Sequence, residues 1–359
     1  MQNKKIVQVL YSGLGGHGTV AFSLLDGFIK SSFENSLIFY GVETINKSYI
    51  EQINLTKDTS YFGIKKETKT GVKEWIQYYK SLKKIKPNII LLHSNQLILV
   101  SFFYSLFYKT KIITVEHDAI SARTKSKWIV SNLNAIFANR IIVLSKSYKN
   151  HIKTNLWFKK LLKKYVIIPN GISINKFKQK EHYFSNKDTT LFMASRMNKL
   201  RDHKTLIEAV HLAYNKNNNI KLRIAGDGDT LESLKNECTE LPFIQFLGNI
   251  NQSEIINELN NSDIYIHATF AETFSTAILQ AMSTGLPIIC SDIEGTRHMI
   301  IDNYNGLLYK SKNSQDLCLK IEMLLNNKEK AIMLGNNARK DVVNNYSNEE
   351  VNNSYLKLF

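Results

Sequence analysis

The chain has 359 residues, of which 43% are hydrophobic and 22% charged. That length fits two domains of ordinary size, and the composition excludes collagen-like, coiled-coil and wholly disordered chains. Three cysteines (Cys238, Cys290, Cys318) are too few for a disulfide scaffold and lack metal-ligand spacing. Each reads as a small apolar residue inside an element of a protein from a reducing compartment. The net charge is +16, and residues 1–168 carry it, with 26 Lys/Arg against 9 Asp/Glu. Clusters at Lys83-Lys84-Lys86, Arg123-Lys125-Lys127 and Lys159-Lys160-Lys163-Lys164 suit an anionic membrane surface or a phosphate-bearing acceptor. No nucleic-acid-binding motif accompanies them, so no nucleic acid is expected as a partner.

The chain opens with charge and a short apolar run that contains Gln8 and has no small-residue cleavage site. This predicts a first strand rather than a signal peptide. Further strands are predicted at Leu37–Tyr40, Asn88–Leu92, Lys111–Val115, Arg140–Leu144 and Tyr165–Ile168. Helical spacing falls between them, at Thr19–Lys30, Val72–Lys84, Leu97–Tyr108, Lys127–Asn139 and Ser147–Lys153. The uncharged stretch from Asn88 to Tyr108 has His93-Ser94-Asn95-Gln96 at its middle, which a bilayer core would resist. It parses as strand, turn and core helix; the alternative lays Phe102, Phe103 and Phe107 on a membrane surface. In LWFKKLLKKYV, Leu161, Leu162 and Tyr165 lie among lysines and predict an amphipathic helix at such a surface.

Pro169-Asn170-Gly171 is a turn signature, and a polar stretch follows before the alternation restarts. Strands are predicted at Thr190–Ala194, Lys221–Ala225, Phe243–Leu247, Ile264–His267 and Pro287–Cys290. The helices between them are His203–Tyr214, Thr230–Cys238, Glu254–Asn260 and Thr273–Thr284. Only helical patterns remain after that. The reading is α/β: two doubly wound, Rossmann-like domains, residues 1–168 and 169–345, facing across a cleft, with residues 346–359 returning to the first.

Chemistry should then sit just after strands. Gly13-Leu14-Gly15-Gly16-His17-Gly18 follows the first strand and opens a helix, as a phosphate-facing loop does. Taken alone it would also suit an NAD-dependent oxidoreductase. Arg196 and Arg201 flank a loop before a helix and can clamp a pyrophosphate. Asp227 and Asp229, set among glycines, read as turn and cap residues rather than metal ligands. The segment Ala268–Asp292 places Glu272 at the mouth of a helix that starts at Thr273. The amides of Thr273, Phe274 and Ser275 face an anion there, and Gln280 stands about 12 Å further along at 1.5 Å per residue.

With these residues the chain resembles the retaining family-4 glycosyltransferases of the GT-B fold. The resemblance rests on the glycine loop, His93, Val115-Glu116-His117-Asp118, Ile168-Pro169-Asn170-Gly171, Arg196, Ala225-Gly226-Asp227-Gly228, Phe246-Leu247-Gly248 and the Glu272 helix. It implies transfer of a hexose or N-acetylhexosamine from a nucleotide-sugar donor, a UDP-sugar by family frequency. The expected acceptor is a glycan or a polyprenyl-diphosphate-linked glycan in bacterial surface polysaccharide assembly, and the basic first half suggests a lipid-linked one at the cytoplasmic face of the membrane. It implies that Arg196 and Arg201 hold the diphosphate, Glu272 the sugar hydroxyls and Gln280 the ribose. Gly15 and Gly16 lie over the diphosphate or the sugar, His93 lies near the reacting carbon, and Asn249 and Ile250 meet the base. Gln280 stands where the family carries a Glu, and Arg201 where it carries a Lys. No cofactor and no metal are expected, because arginines and helix amides neutralise the leaving group. A sugar-nucleotide epimerase of the same fold is the alternative.

Overall fold

The computed structural model describes residues 4–13, 16–56, 59–65, 71–118 and 123–359. They form two compact units, one of residues 1–171 with 348–359 and the other of residues 172–347.

The first unit runs β1 (Lys5–Tyr11), α1 (Gly16–Lys30), β2 (Glu34–Gly41), α2 (Lys47–Leu55), β3 (Thr59–Lys65), α3 (Val72–Ile85), β4 (Ile89–Leu92) and α4 (Ile98–Phe107). It continues through β5 (Lys111–Val115), α5 (Lys125–Phe137), β6 (Arg140–Val143), α6 (Lys146–Asn155) and β7 (Tyr165–Ile167). The seven strands pair in parallel in the order β3-β2-β1-β4-β5-β6-β7. Side chains alternate across the sheet. Val7, Val9, Ile38 and Ile90 pack with Tyr78, Leu82, Tyr104 and Ile152 of α3, α4 and α6. Leu10, Leu37 and Phe39 pack with Phe22, Leu25 and Tyr49 of α1 and α2. With both faces covered, the central strands are apolar throughout, which is why IILL and RIIV were legible. The edge strand β3 is half exposed and reads TSYFGIK, so it and the preceding α2 escaped the sequence pattern.

Lys159–Lys164 is a 3₁₀ turn, not an amphipathic helix. The Lys164 ammonium donates to the carbonyls of Ala135, Ile136 and Ala138 at 3.0, 2.9 and 2.8 Å, satisfying the orphan carbonyls at the end of α5. Leu161 and Leu162 pack against the core. These side chains hold the fold rather than face outward.

The second unit runs β8 (Thr189–Ala194), α7 (His203–Lys216), β9 (Ile220–Ala225), α8 (Leu231–Glu237), β10 (Ile244–Gly248), α9 (Gln252–Asn261) and β11 (Ile264–His267). It closes with α10 (Thr276–Thr284), β12 (Ile288–Ser291), α11 (Glu294–Arg297), β13 (Leu307–Tyr309), α12 (Ser314–Asn326) and α13 (Lys328–Asn345). Its six parallel strands are ordered β10-β9-β8-β11-β12-β13. Cys238, Cys290 and Cys318 are buried thiols. After Ser347, α14 (Asn348–Leu356) belongs to the first unit and packs on α1. A Cβ on Gly27 would stand 2.1 Å from Asn352, and the Phe28 ring lies 5.2 Å from that of Phe359.

In each sheet the strand order reverses beside the first strand, between β1 and β4 and between β8 and β11. Loops leaving adjacent strands part there, and open α/β sheets bind ligands at such points. Among the described residues, no helix is long and apolar enough to cross a membrane.

Candidate active site

At the reversal point of the second unit, the loops after β8 and β11 are stitched together. Phe270 N donates to Leu200 O (2.9 Å), and Thr269 Oγ1 donates to the same carbonyl (3.0 Å). Arg201 Nη1 donates to Thr269 Oγ1 (2.6 Å) and Ala271 O (2.8 Å), while Nη2 lies 3.3 Å from Glu272 Oε2. Arg201 Nε is buried without a hydrogen-bond partner. Arg201 is therefore the anchor of the loop that carries Glu272, as well as a cation beside it.

Glu272 is nearly enclosed, its side chain 12% exposed. His267 Nε2 stands 3.2 Å from Oε2, and Thr273 N donates to Oε1 at 3.0 Å. A carboxylate only accepts, so His267 carries its proton on Nε2. Burial holds His267 below its ordinary pKa, so the ring is neutral; Nδ1 lies 3.2 Å from the Tyr265 hydroxyl, which donates to Ala194 O at 3.3 Å. Burial pushes the Glu272 carboxyl up, but the His267 N–H, the Arg201 charge and the Thr273 amide outweigh it and hold the group at about 2. The result is a fixed, ionised carboxylate. With four acceptor sites and three donors engaged, Oε1 keeps capacity for a ligand hydroxyl. Glu272 thus sits in a packed, pre-ordered setting.

The helix after Glu272 begins at Thr276, three residues later than its sequence predicts. Ser275 is the N-cap, its hydroxyl accepting from Ile278 N at 3.3 Å. Phe274 is buried edge-on against Tyr346, 5.3 Å between rings. Thr273 and Phe274 therefore form a bent approach to the helix, and Gln280, half-buried, is its fifth residue. The helical rise that gave the 12 Å spacing to Gln280 applies only from Thr276 onward.

Arg196 is exposed on the loop after β8. That loop is pressed by Gly226, whose φ is +139° and where a Cβ would lie 1.7 Å from Ser195 O. Gly248 accepts from Gly226 N at 2.7 Å, and Asn249 (exposed) and Ile250 (half-buried) follow it. Thr230 caps α8 without a side-chain bond, and the Asp227 carboxylate accepts from Gly228 N instead.

Sequence reasoning missed His267, Thr269, His203 and Gly295. His203 Nε2 lies 3.0 Å from Ser195 Oγ, and burial, Arg201 and His267 push it down to about 4. A Cβ on Gly295 would lie 2.1 Å from Glu272 O. The readable signal for His267 was a lone polar residue closing the apolar strand IYIH.

In the first unit, His93 follows β4 and His117 follows β5 on the wall of a cavity of about 620 Å³. Their rings stack, centroids 5.3 Å apart. Gln8 Nε2 donates to Ala21 O (3.0 Å), so Gln8 Oε1 accepts from His93 Nε2 (3.1 Å). His93 Nδ1 then accepts from His117 Nε2 at 3.0 Å. Burial, first, and the neighbouring histidines keep His93 well below its ordinary pKa. His117 is pushed down to about 3 by burial and His17, with Asp118 opposing. The pair is neutral, with one tautomer set by Gln8. Beside it, Glu116 and Arg123 form a buried ion pair.

Gly15 lies outside the described residues, and Gly16 opens α1. Gly18 admits the Tyr49 ring, which a Cβ would strike at 2.0 Å. Glu43, the acidic residue an NAD site would call on, accepts from the Tyr11 phenol at 2.7 Å.

Two family models match in tandem: Glycosyltransferase Family 4 over residues 14–176 and Glycosyl transferases group 1 over residues 175–341. An uncharacterised glycosyltransferase of Methanocaldococcus jannaschii is 28% identical over 313 residues, 80% of this chain and 79% of that one. The N,N'-diacetylbacillosaminyl-diphospho-undecaprenol alpha-1,3-N-acetylgalactosaminyltransferase of Campylobacter jejuni is 29% identical, over 62% of this chain and 60% of its own length. Among solved structures, HepE of Anabaena in complex with UDP and glucose superposes with a TM-score of 0.84 at 17% identity, covering 99% of both chains. That likeness establishes the GT-B fold. Matched nearly end to end by the two models, this chain belongs to the group 1, family 4 glycosyltransferases.

Proposed function

We propose that the protein transfers a hexose or N-acetylhexosamine from a UDP-sugar to a glycan or polyprenyl-diphosphate-linked glycan, with retention, in surface polysaccharide assembly. The observation that carries this reading is the ionised Glu272, fixed by Arg201, His267 and the Thr273 amide at the reversal point of the second sheet. Such a carboxylate accepts hydroxyls of a bound sugar without reorganising. Arg196, Arg201 and the amides at the start of α10 neutralise the diphosphate as the bond from sugar C1 to phosphate oxygen breaks. The electron pair leaves with the phosphate. The acceptor oxygen bonds C1 on the same face, and its proton passes to the departing diphosphate. Gln280 receives the ribose, Asn249 and Ile250 the base, and the His93–His117 wall of the first unit the acceptor side. The UDP and lipid-diphosphate choices are supported by the names of the Anabaena and Campylobacter proteins. A lipid-carried acceptor would bring the protein to the inner face of the cell membrane.

The test is incubation with UDP-, GDP- and ADP-sugars and a polyprenyl-diphosphate glycan, with the product anomer read by NMR. Transfer in excess EDTA is expected, since arginines and amides supply the positive charge. An inverted product, or activity that only Mg²⁺ or Mn²⁺ restores, would overturn the mechanism.

A further inference from the structure

The helix α4, ILVSFFYSLF, carries no charge. Its inner face is buried through Ile98, Ser101 and Tyr104, and Phe102 turns in against Phe137, ring centroids 4.5 Å apart. Its outer face exposes Phe103 (61%), Leu106 (60%) and Phe107 (73%) as one i, i+3, i+4 stripe. α4 packs between α3 and α5, and α5 packs on the turn 159–164, so these elements share one helical layer. Trp157 and Phe158, which enter that turn, are also exposed. A contiguous apolar helix face left in water marks an interaction surface.

The charge around it names the occupant. Residues 71–164 hold 18 Lys/Arg and three acidic residues. Glu74 and Glu116 are buried, and Asp118 pairs with Lys127 at 2.8 Å. Lys83, Lys84, Lys86, Lys109, Lys159 and Lys160 all stand in or beside helix-to-strand turns. These turns lie along the sheet edge at which Leu106, Phe107, Trp157 and Phe158 also end. An apolar stripe with a one-signed basic border fits an interface whose interior is hydrocarbon and whose rim is anionic. We infer that the α3–α4–α5 layer of the first unit docks on an anionic lipid bilayer, Phe103, Leu106 and Phe107 entering the headgroup–acyl boundary. The apolar anchor is therefore α4; Lys159 and Lys160 belong only to its rim, and Lys164 serves the fold. With α4 on the surface, the sheet lies about one layer, ~10 Å, above it. The His93 cavity, at the carboxyl ends of the strands, then opens sideways within reach of a headgroup-borne glycan. The choice of a membrane rests on the reading of the acceptor as lipid-carried.

The full chain should sediment with vesicles of phosphatidylcholine mixed with phosphatidylglycerol and stay in solution with phosphatidylcholine alone, and salt should weaken the binding. The triple change Phe103→Ser, Leu106→Ser, Phe107→Ser removes only exposed side chains. It should lower anionic-vesicle binding at least about tenfold. Transfer to a water-soluble glycan acceptor should be unchanged, and transfer to the lipid-linked acceptor in vesicles should fall in parallel with binding. Equal sedimentation with neutral vesicles, unchanged binding by the triple variant, or a wild-type dimer that the triple variant turns into a monomer would overturn the docking surface. If vesicle binding behaves as stated but no nucleotide-sugar is consumed with any acceptor, docking stands and the functional reading fails.

Discussion

Glu272 combines two properties that a sequence reading treats separately: it is ionised, and it is nearly enclosed. The enclosure is affordable because Arg201, His267 and Thr273 N surround it. Truncation therefore acts on fold as well as on chemistry. Glu272→Ala leaves the Arg201 and His267 donors facing a void and should cost about 1–3 kcal/mol of stability in urea titration. It should also slow transfer at least about tenfold, or roughly 1.4 kcal/mol of transition-state stabilisation. Glu272→Gln keeps the shape and an acceptor oxygen, so it should retain most of the stability while still losing turnover. Arg196→Ala, on an exposed loop, should lose turnover with no measurable change in unfolding midpoint. Full activity of Glu272→Gln would show that the charge at this position is dispensable. Gln280 offers an independent probe. If it meets the ribose, Gln280→Glu supplies a charged acceptor, and charge-assisted bonds are about twice as strong as neutral ones. UDP affinity measured by calorimetry should then rise, and a marked fall would place an anionic group at that position instead.

The elements hold this residue pattern through backbone contacts that only glycine allows. Gly226 and Gly248 both have positive φ, yet they differ in what a side chain would meet. At Gly248, with φ +68°, nothing lies within 4 Å, so Gly248→Ala should cost only the left-handed penalty, about 1–2 kcal/mol. At Gly226 a Cβ would collide with Ser195 O at 1.7 Å, so β9 and the Arg196 loop must separate. Gly226→Ala should unfold the second unit at clearly lower temperature than Gly248→Ala and weaken UDP binding as well; similar melting of the two variants would refute the close approach. The Gly-Asp-Gly run was visible in the sequence, but not which glycine bears on a backbone. The same limit explains the rest of the reading. Fully covered strands such as IILL and IYIH announced themselves by apolar composition. The polar edge strand β3 and the three-residue β13 had no such signature. Glu272 and Arg201 were legible because each follows a strand. Their contact, and the roles of His267, Thr269 and Gly295, depend on β8 and β11 being neighbours, a pairing across some 70 residues that local pattern does not encode. The start of α10 lies later than the sequence predicts because nothing in the composition of Thr273–Phe274 separates a bent approach from a first helical turn; the Ser275 hydroxyl settles it.

At the scale of the whole molecule, each unit holds its own pair of neutral histidines, the buried His93 with the half-buried His117, and the buried His203 with His267. All four are held below their ordinary pKa, chiefly by burial, with His117 at about 3 and His203 at about 4. The facing groups are named for each pair: His17 and Asp118 beside the first, Arg201 and Glu272 beside the second. A group whose folded pKa is lowered to keep it neutral binds fewer protons in the folded state than in the unfolded state. Stability is therefore full above the unfolded value of 6.5 and drains as pH falls from there toward the folded values. At one pH unit below 6.5 each of His117 and His203 should have lost about 1.4 kcal/mol. For a unit of this size that is roughly 3–6 °C in melting temperature. Between pH 7 and pH 5 histidines are the side chains that titrate at ordinary pKa, so this window isolates them from the carboxylates. Glu272 moves later and with the other charge: its folded pKa of about 2 keeps its contribution intact above 4.5 and loses it below. Calorimetry should accordingly show melting that falls from pH 7 to pH 5, in a variant lacking Glu272 as in the wild type, and a second fall below pH 4.5 that is smaller in the Glu272→Gln chain, where the lowered Asp292 and Glu237 remain. His203→Gln should flatten the first fall in the second unit and leave the first unit's fall in place. A melting temperature that is constant or rises between pH 7 and pH 5 would mean that these rings are already charged or solvated in the folded protein, and the neutral relay from Gln8 through His93 to His117 would go with it.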